Sequence, residues 1–355
     1  MKLLKRFLLI LLIAAVLAFT LLCVSTVFIM HSQFPRYDYP DRRFYTYYRY
    51  DPDFIDSYPR ENVQFTSGEN LLQGYIYGAD NPDPKGLLVF AHGLTTAHEG
   101  YIDQLIWFVD QGWRVFAYDA TGSGTSEGSG TVGLVQSALD LDAALNFAES
   151  DDRLNTLPVC LLGHSWGGYA VTAVLNFDHD ITAACSLSGY AYPIEMLDVG
   201  AEFTVGKQLA GVFHPFAAGY NRIVFGDNAG LNAVDGINKS GIPVLVMHGE
   251  HDDFVVYDRV SILSKQAQIT NPRAEFVTLT GEYATHNDFF NSDASNEYIK
   301  AWNEQSNELA EQYGGKIPDD VRESLYSQVD RTIVNDINKA LLEEIDDFYT
   351  GAIFK

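Results

Sequence analysis

Six short β-rich runs constrain this chain more than any other feature. GLLVFAHG, RVFAYDA, PVCLLGHS, AACSLSG, PVLVMHG and AEFVTLTG recur between residues 86 and 281, with helix-compatible stretches separating them. Runs that are apolar throughout belong to strands covered on both faces, and intervening helices make their connections parallel. Upstream, NVQFT and LLQGYIYG flank Ser67-Gly68-Glu69-Asn70, which reads as a hairpin. The expectation is an α/β fold: a mostly parallel eight-stranded sheet with helices on both faces. At 47% hydrophobic and 20% charged residues the chain can build that core.

The interval between AACSLSG and PVLVMHG breaks the rhythm. Residues 190–240 carry Phe203, Val205, Leu209, Val212, Phe213, Phe216, Ile223 and Phe225 without a central-strand pattern. They are expected to form a helical cap over the C-terminal edge of the sheet. Ligand sites are concave and mostly apolar, so Phe213 and Phe216 are the candidates for lining one there. Beyond the last strand run two helical stretches are expected. The second starts at Pro318-Asp319-Asp320, and Val334, Ile337, Leu341, Ile345 and Phe348 form one apolar stripe that packs on the domain. A helix offered to a partner is the alternative.

MKLLKR precedes an uncharged run of 24 residues, 7–30. Cleaved signal peptides have apolar regions of about 7–15 residues, whereas this run can span a bilayer core of ~30 Å. A retained transmembrane anchor is therefore expected. Lys2, Lys5 and Arg6 abut the span, while Arg36, Arg42, Arg43 and Arg49 follow it. The basic cluster at the start and the large domain behind give a cytoplasmic N-terminus and an extracytoplasmic domain. The resulting division is residues 1–6, cytoplasmic; 7–30, anchor; 31–61, an aromatic and charged linker; and 62–355, the folded domain. Cys23, Cys160 and Cys185 make no disulfide framework and read as free thiols. A formal charge of −24 argues against nucleic acid and against attraction of the domain to anionic lipid.

Chemistry concentrates where PVCLLGHS ends, at Gly163-His164-Ser165-Trp166-Gly167. A serine between glycines, after a buried strand and before a helix, is the setting of a nucleophile elbow. Such a serine needs a base, and the base needs a carboxylate to hold its tautomer. Both follow, each just past a strand run: Asp252 in GEHDDFV, and His286 in GEYATHNDFF. Asp253 stands beside Asp252 as an alternative acid, but G-x-x-D spacing and Val255 three residues on favour Asp252. The order Ser165, Asp252, His286 suits one hydrolase fold. The Leu94 and Trp166 backbone N–H groups are placed to bind an oxyanion. His92, His164 and His251 are read as structural. No histidine pair has the spacing of H-E-x-x-H, so no metal is expected.

The glycine-rich run 122–133 lacks a G-K-[ST] ending, and its G-x-G-x-x-G portion starts several residues after RVFAYDA has ended. Neither a phosphate loop nor a dinucleotide fingerprint fits, and a flexible loop is expected.

AHGLTTAHEGY, YDATGSGTSEG, GHSWGG, HGEHDDFV and THNDF together resemble the α/β-hydrolase family, from about residue 62 to residue 290. Within it the chain is most similar to the monoglyceride-lipase, lysophospholipase and serine-aminopeptidase-like branch. The resemblance implies Ser165 as nucleophile, Asp252 as acid, His286 as base, and Leu94 and Trp166 as oxyanion donors. It departs at TGSGTSEG, where many relatives carry an arginine or histidine before the first glycine, which bears on substrate rather than on the triad. The implied activity is hydrolysis of carboxylic esters, lipid-like or acyl, through an acyl-enzyme and without a cofactor. The partners would be a small ester or amphiphile and, through the N-terminal helix, the membrane. A peptidase or amidase with the same triad is the second reading, and a non-catalytic tethered interaction domain the third.

Overall fold

The computed structural model describes residues 2–46 and 57–354, so Met1, Arg49 and the rest of the 47–56 part of the linker lie outside the described residues. The chain opens with α1 (Lys2–Gln33), 32 residues in one helix and so about 48 Å long. It is long and apolar enough to cross a membrane.

Eight strands follow: β1 (Arg60–Ser67), β2 (Asn70–Tyr77), β3 (Leu87–Ala91), β4 (Arg114–Tyr118), β5 (Val159–His164), β6 (Ala183–Leu187), β7 (Val244–Gly249) and β8 (Ala274–Leu279). They form one sheet in the order β1-β2-β4-β3-β5-β6-β7-β8. The first two pairings, β1 with β2 and β2 with β4, are antiparallel and the rest are parallel, as expected. Ser67 pairs with Asn70 across a two-residue turn in which Gly68 has φ +57°, the left-handed geometry that tight hairpins require.

The apolar runs are explained by burial on two faces. In β3, Leu87, Val89 and Ala91 enter one core cluster, and Leu88 and Phe90 enter the other. The first face is covered by α3 (Gln136–Ser150), α4 (Trp166–Ala173) and α7 (Ala233–Ser240), the second by α2 (Ile102–Asp110) and α11 (Lys339–Ile353). Between β6 and β7, α5 (Pro193–Val205) and α6 (Lys207–Phe225) meet at Gly206, while α7 returns to the sheet and packs on α4. α1 lies against α6, where the Phe19 and Phe216 rings are 5.5 Å apart.

Two segments differ from expectation. The C-terminal stripe is not one helix: after α8 (Asp293–Gln312) the chain forms α9 (Asp319–Tyr326), α10 (Arg331–Val334) and then α11. The Asp330 side chain caps α10 through Thr332 N, and Asn338 caps α11 through Leu341 N, so the helix restarts at each. Val334 and Ile337 therefore lie outside α11, while Leu341 and Ile345 pack into the core beside Leu342 and Tyr349. The glycine-rich run, expected to be flexible, is strapped down. The Arg36 guanidinium donates to the carbonyls of Gly124, Ser126 and Gly128 at 2.7–2.9 Å. Tyr37 exchanges backbone hydrogen bonds with Gly122 and Gly124, and the Tyr39 hydroxyl donates to buried Asp119. A Cβ on Gly130 would fall 2.4 Å from Phe34 O, so only glycine admits the strap there.

Candidate active site

The strand-to-helix turn at Ser165 is strained. Ser165 has φ +56° and ψ −112°, a conformation non-glycine residues adopt at a cost of order 1–3 kcal/mol and one that clusters at functional sites. Its flanking glycines have separate steric reasons. A Cβ on Gly163 would lie 2.2 Å from Gly167 O, and one on Gly167 would lie 1.9 Å from Ala91 O. Helix α4 can cross the sheet this closely only because neither residue carries a side chain.

The structure brings Ser165, His286 and Asp252 into one hydrogen-bonded chain. His286 Nε2 lies 2.9 Å from Ser165 Oγ, and Nδ1 lies 2.7 Å from Asp252 Oδ2. The carboxylate accepts, so Nδ1 carries the proton and bare Nε2 accepts from the serine hydroxyl. Asp252 Oδ1 accepts from the amides of Phe254 and Val255 at 3.0 and 2.9 Å. Burial pushes this carboxyl up, but hydrogen bonds from His248 and His286 outweigh it and hold it well below the usual carboxylate range. Asp253 is exposed and takes no part in the chain.

Leu94 follows β3, and Trp166 is the first residue of α4, where an amide has no intrahelical partner. Neither amide donates to any group among the described residues. The Trp166 indole donates to Leu134 O at 2.9 Å, and the Ser137 hydroxyl donates to Trp166 O. These bonds hold the start of α4 beside Ser165.

Sequence reasoning missed three supports. The Gly93 N–H donates to the Tyr101 hydroxyl at 3.1 Å, and that hydroxyl donates to His164 Nδ1 at 2.8 Å. His164 Nε2 then donates to the His286 carbonyl at 2.9 Å. Burial, followed by the nearby His286, pushes the His164 imidazole well below the usual range, so it is neutral. Buried His248 places Nε2 at 2.9 Å from Val255 O and 3.0 Å from Asp252 Oδ2, bracing the acid from behind. Only HGxxD, which sets His248 four residues before Asp252, was a sequence signal for any of these. His92 links two strand ends, accepting from Ala120 N and donating to Gly93 O, and His251 is exposed.

Two cavities meet at this site. The first, about 630 Å³, holds Ser165 and His286 together with polar groups such as Thr95, Thr96, Gln104 and Asp288. The second, about 430 Å³, is apolar and includes Phe213. Leu94, Asp253 and Phe254 border both. Phe216 is not in either wall and instead faces Phe19 of α1.

The strand order, the strained serine turn and the helices on both faces define an α/β-hydrolase fold. Residues 82–217 match the family model described as serine aminopeptidase, S33. An esterase from Pyrococcus furiosus has the same fold, with a TM-score of 0.52 at 17% identity over 79% of this chain and 98% of that one. The polyketide transferase grgF of a Penicillium species is 26% identical over 37% of this chain. The match spans 45% of that relative, less than half its length. A protein of Mycobacterium phage D29 named as a non-heme haloperoxidase is 25% identical over 53% of this chain and 79% of its own length.

Proposed function

We propose that the protein is a serine hydrolase that cleaves carboxylic esters through an acyl-enzyme, with its domain held at a membrane by α1. The observation that carries this reading is the Ser165–His286–Asp252 chain, with links of 2.9 and 2.7 Å. His286 accepts the Ser165 proton as Oγ attacks the substrate carbonyl carbon. The Leu94 and Trp166 amides receive the developing oxyanion. His286 then gives the proton to the leaving alkoxide, and Asp252 stabilises the imidazolium. Water then gives a proton to His286 as it attacks the acyl carbonyl, and the C–O bond to Ser165 Oγ breaks as His286 returns that proton to the serine, releasing the acid.

Ester hydrolysis is favoured over amide hydrolysis by the apolar cavity beside the serine, which suits an acyl chain. The amide reading draws on the serine aminopeptidase model and on exposed Asp253 at the junction of the cavities, where a substrate amine would find a carboxylate. A panel of p-nitrophenyl esters and aminoacyl amides, run on the full chain and its Ser165→Ala variant, decides. The expected result is ester turnover that the variant lacks; amide turnover alone would transfer the assignment to a peptidase.

A further inference from the structure

The apolar cavity has a wall from outside the hydrolase domain. Thr26, Ile29, Met30 and Gln33 of α1 line it, facing Leu197 and Phe213 of the cap helices. Positions 26, 29, 30 and 33 form one face of a helix. Thr26 and Met30 are buried there, whereas neighbouring Phe28 on another face is 73% exposed. A stripe near the end of α1 is thus built into the domain, while the first half of the helix is exposed.

Two further observations fix that wall in place. The Phe19–Phe216 contact holds α1 against α6, and the strap of Arg36, Tyr37 and Tyr39 holds the chain leaving α1 to the sheet. The helix is therefore not a swinging tether. The cap also exposes Phe203, Leu209, Val212 and Ile223, the last at 86%. A membrane-length apolar helix packed on a cap that exposes apolar side chains is suited to the edge of a bilayer.

We propose that α1 is the outer wall of an acyl chamber, and that a membrane-resident ester passes its aliphatic chain between α1 and the cap directly from the bilayer. The carbonyl then lies at the shared border of the two cavities, at Leu94 and Phe254, beside Ser165. This inference rests on the serine hydrolase reading and adds the occupant, a single aliphatic acyl chain, and its route.

The test uses the full chain in phosphatidylcholine nanodiscs with p-nitrophenyl esters from butanoate to dodecanoate. Ile29→Trp fills the chamber and is expected to lower the dodecanoate-to-butanoate ratio of kcat/KM about tenfold, the selectivity carried by roughly two methylenes. Met30→Ala empties it and is expected to move the preferred chain length upward. Phe28→Trp, on the bare face, is expected to leave the ratio as it is. The ratio does not depend on the folded fraction, so partial misfolding cannot imitate the result. An unchanged profile in both chamber variants overturns the proposal, as does an equal shift in Phe28→Trp. Turnover surviving in Ser165→Ala would overturn the hydrolase reading instead.

Discussion

The imidazole of His164, one residue before Ser165, donates through Nε2 to the backbone carbonyl of His286 at 2.9 Å. The strand that carries the candidate nucleophile thus also holds the loop that carries the candidate base. On its other nitrogen His164 accepts from Tyr101, which in turn accepts from Gly93 beside the candidate oxyanion amide. Three segments far apart in the chain are registered by one imidazole and one phenol.

Removing the phenolic hydroxyl should therefore disturb geometry rather than chemistry. Tyr101→Phe leaves the buried Gly93 N–H without a partner, at a cost of about 1–3 kcal/mol. The expected result is a lower Tm and a kcat that falls more than KM changes, checked by thermal melts and steady-state kinetics. Wild-type values for both would make the relay idle.

Loss of the Ser165 hydroxyl is expected to remove fluorophosphonate labelling and lower turnover by roughly 10⁴-fold or more. Active-site labelling of the purified Ser165→Ala protein checks it, and an equally labelled variant would move the nucleophile elsewhere.

The neighbouring acids separate cleanly. Asp252→Asn is expected to cost about 10⁴-fold in kcat through the wrong histidine tautomer. Asp253→Asn, outside the hydrogen-bonded chain, is expected to cost far less. Parallel kinetics of the two variants measure this, and the reverse order would place the acid one residue later.

Asp103, in the first turn of α2, supplies a pH-dependent stability term. Burial raises its carboxyl from the ordinary 3.8 to about 7, so the folded state binds this proton more tightly than the unfolded state. Stability from this group is fully present below pH 3.8, declines as pH rises, and is lost above about pH 7. Asp103→Asn, which mimics the neutral form, is expected to gain over wild type through that window, by up to about 4 kcal/mol before solvent screening of its exposed part. Denaturant titrations at pH 4, 6 and 8 measure the gap, which should widen upward; a constant gap would refute it.

Membrane attachment is tested by fractionation. The full chain is expected to remain in the pellet after alkaline carbonate washing, because α1 exposes large apolar side chains from Phe7 to Phe28. Recovery of the full chain in the supernatant would overturn the anchor, and a mature N-terminus beyond residue 20 would show a cleaved leader.

Much of this architecture is local and so was readable from the chain. Strands buried on both faces leave continuous apolar runs, a hairpin leaves its Ser67-Gly68-Glu69-Asn70 turn, and a serine elbow leaves glycines on both sides. Ser165, Asp252 and His286, which meet in one hydrogen-bonded chain, could be picked out together because each lies on the segment that leaves the C-terminal end of a strand, where a parallel sheet collects its loops at one edge. What depended on contacts distant in sequence could not be read. Tyr101 beneath His164 and Arg36 across the glycine-rich loop leave no periodicity, since each acts through a partner chosen only by folding. Phe213 and Phe216 are alike in sequence, yet one lines the apolar cavity and the other meets Phe19, because helical rotation against α1 decides which face turns inward. The apolar run 7–30 marked a helix long enough to span a membrane; only packing of that helix against the cap made Ile29 and Met30 part of a cavity.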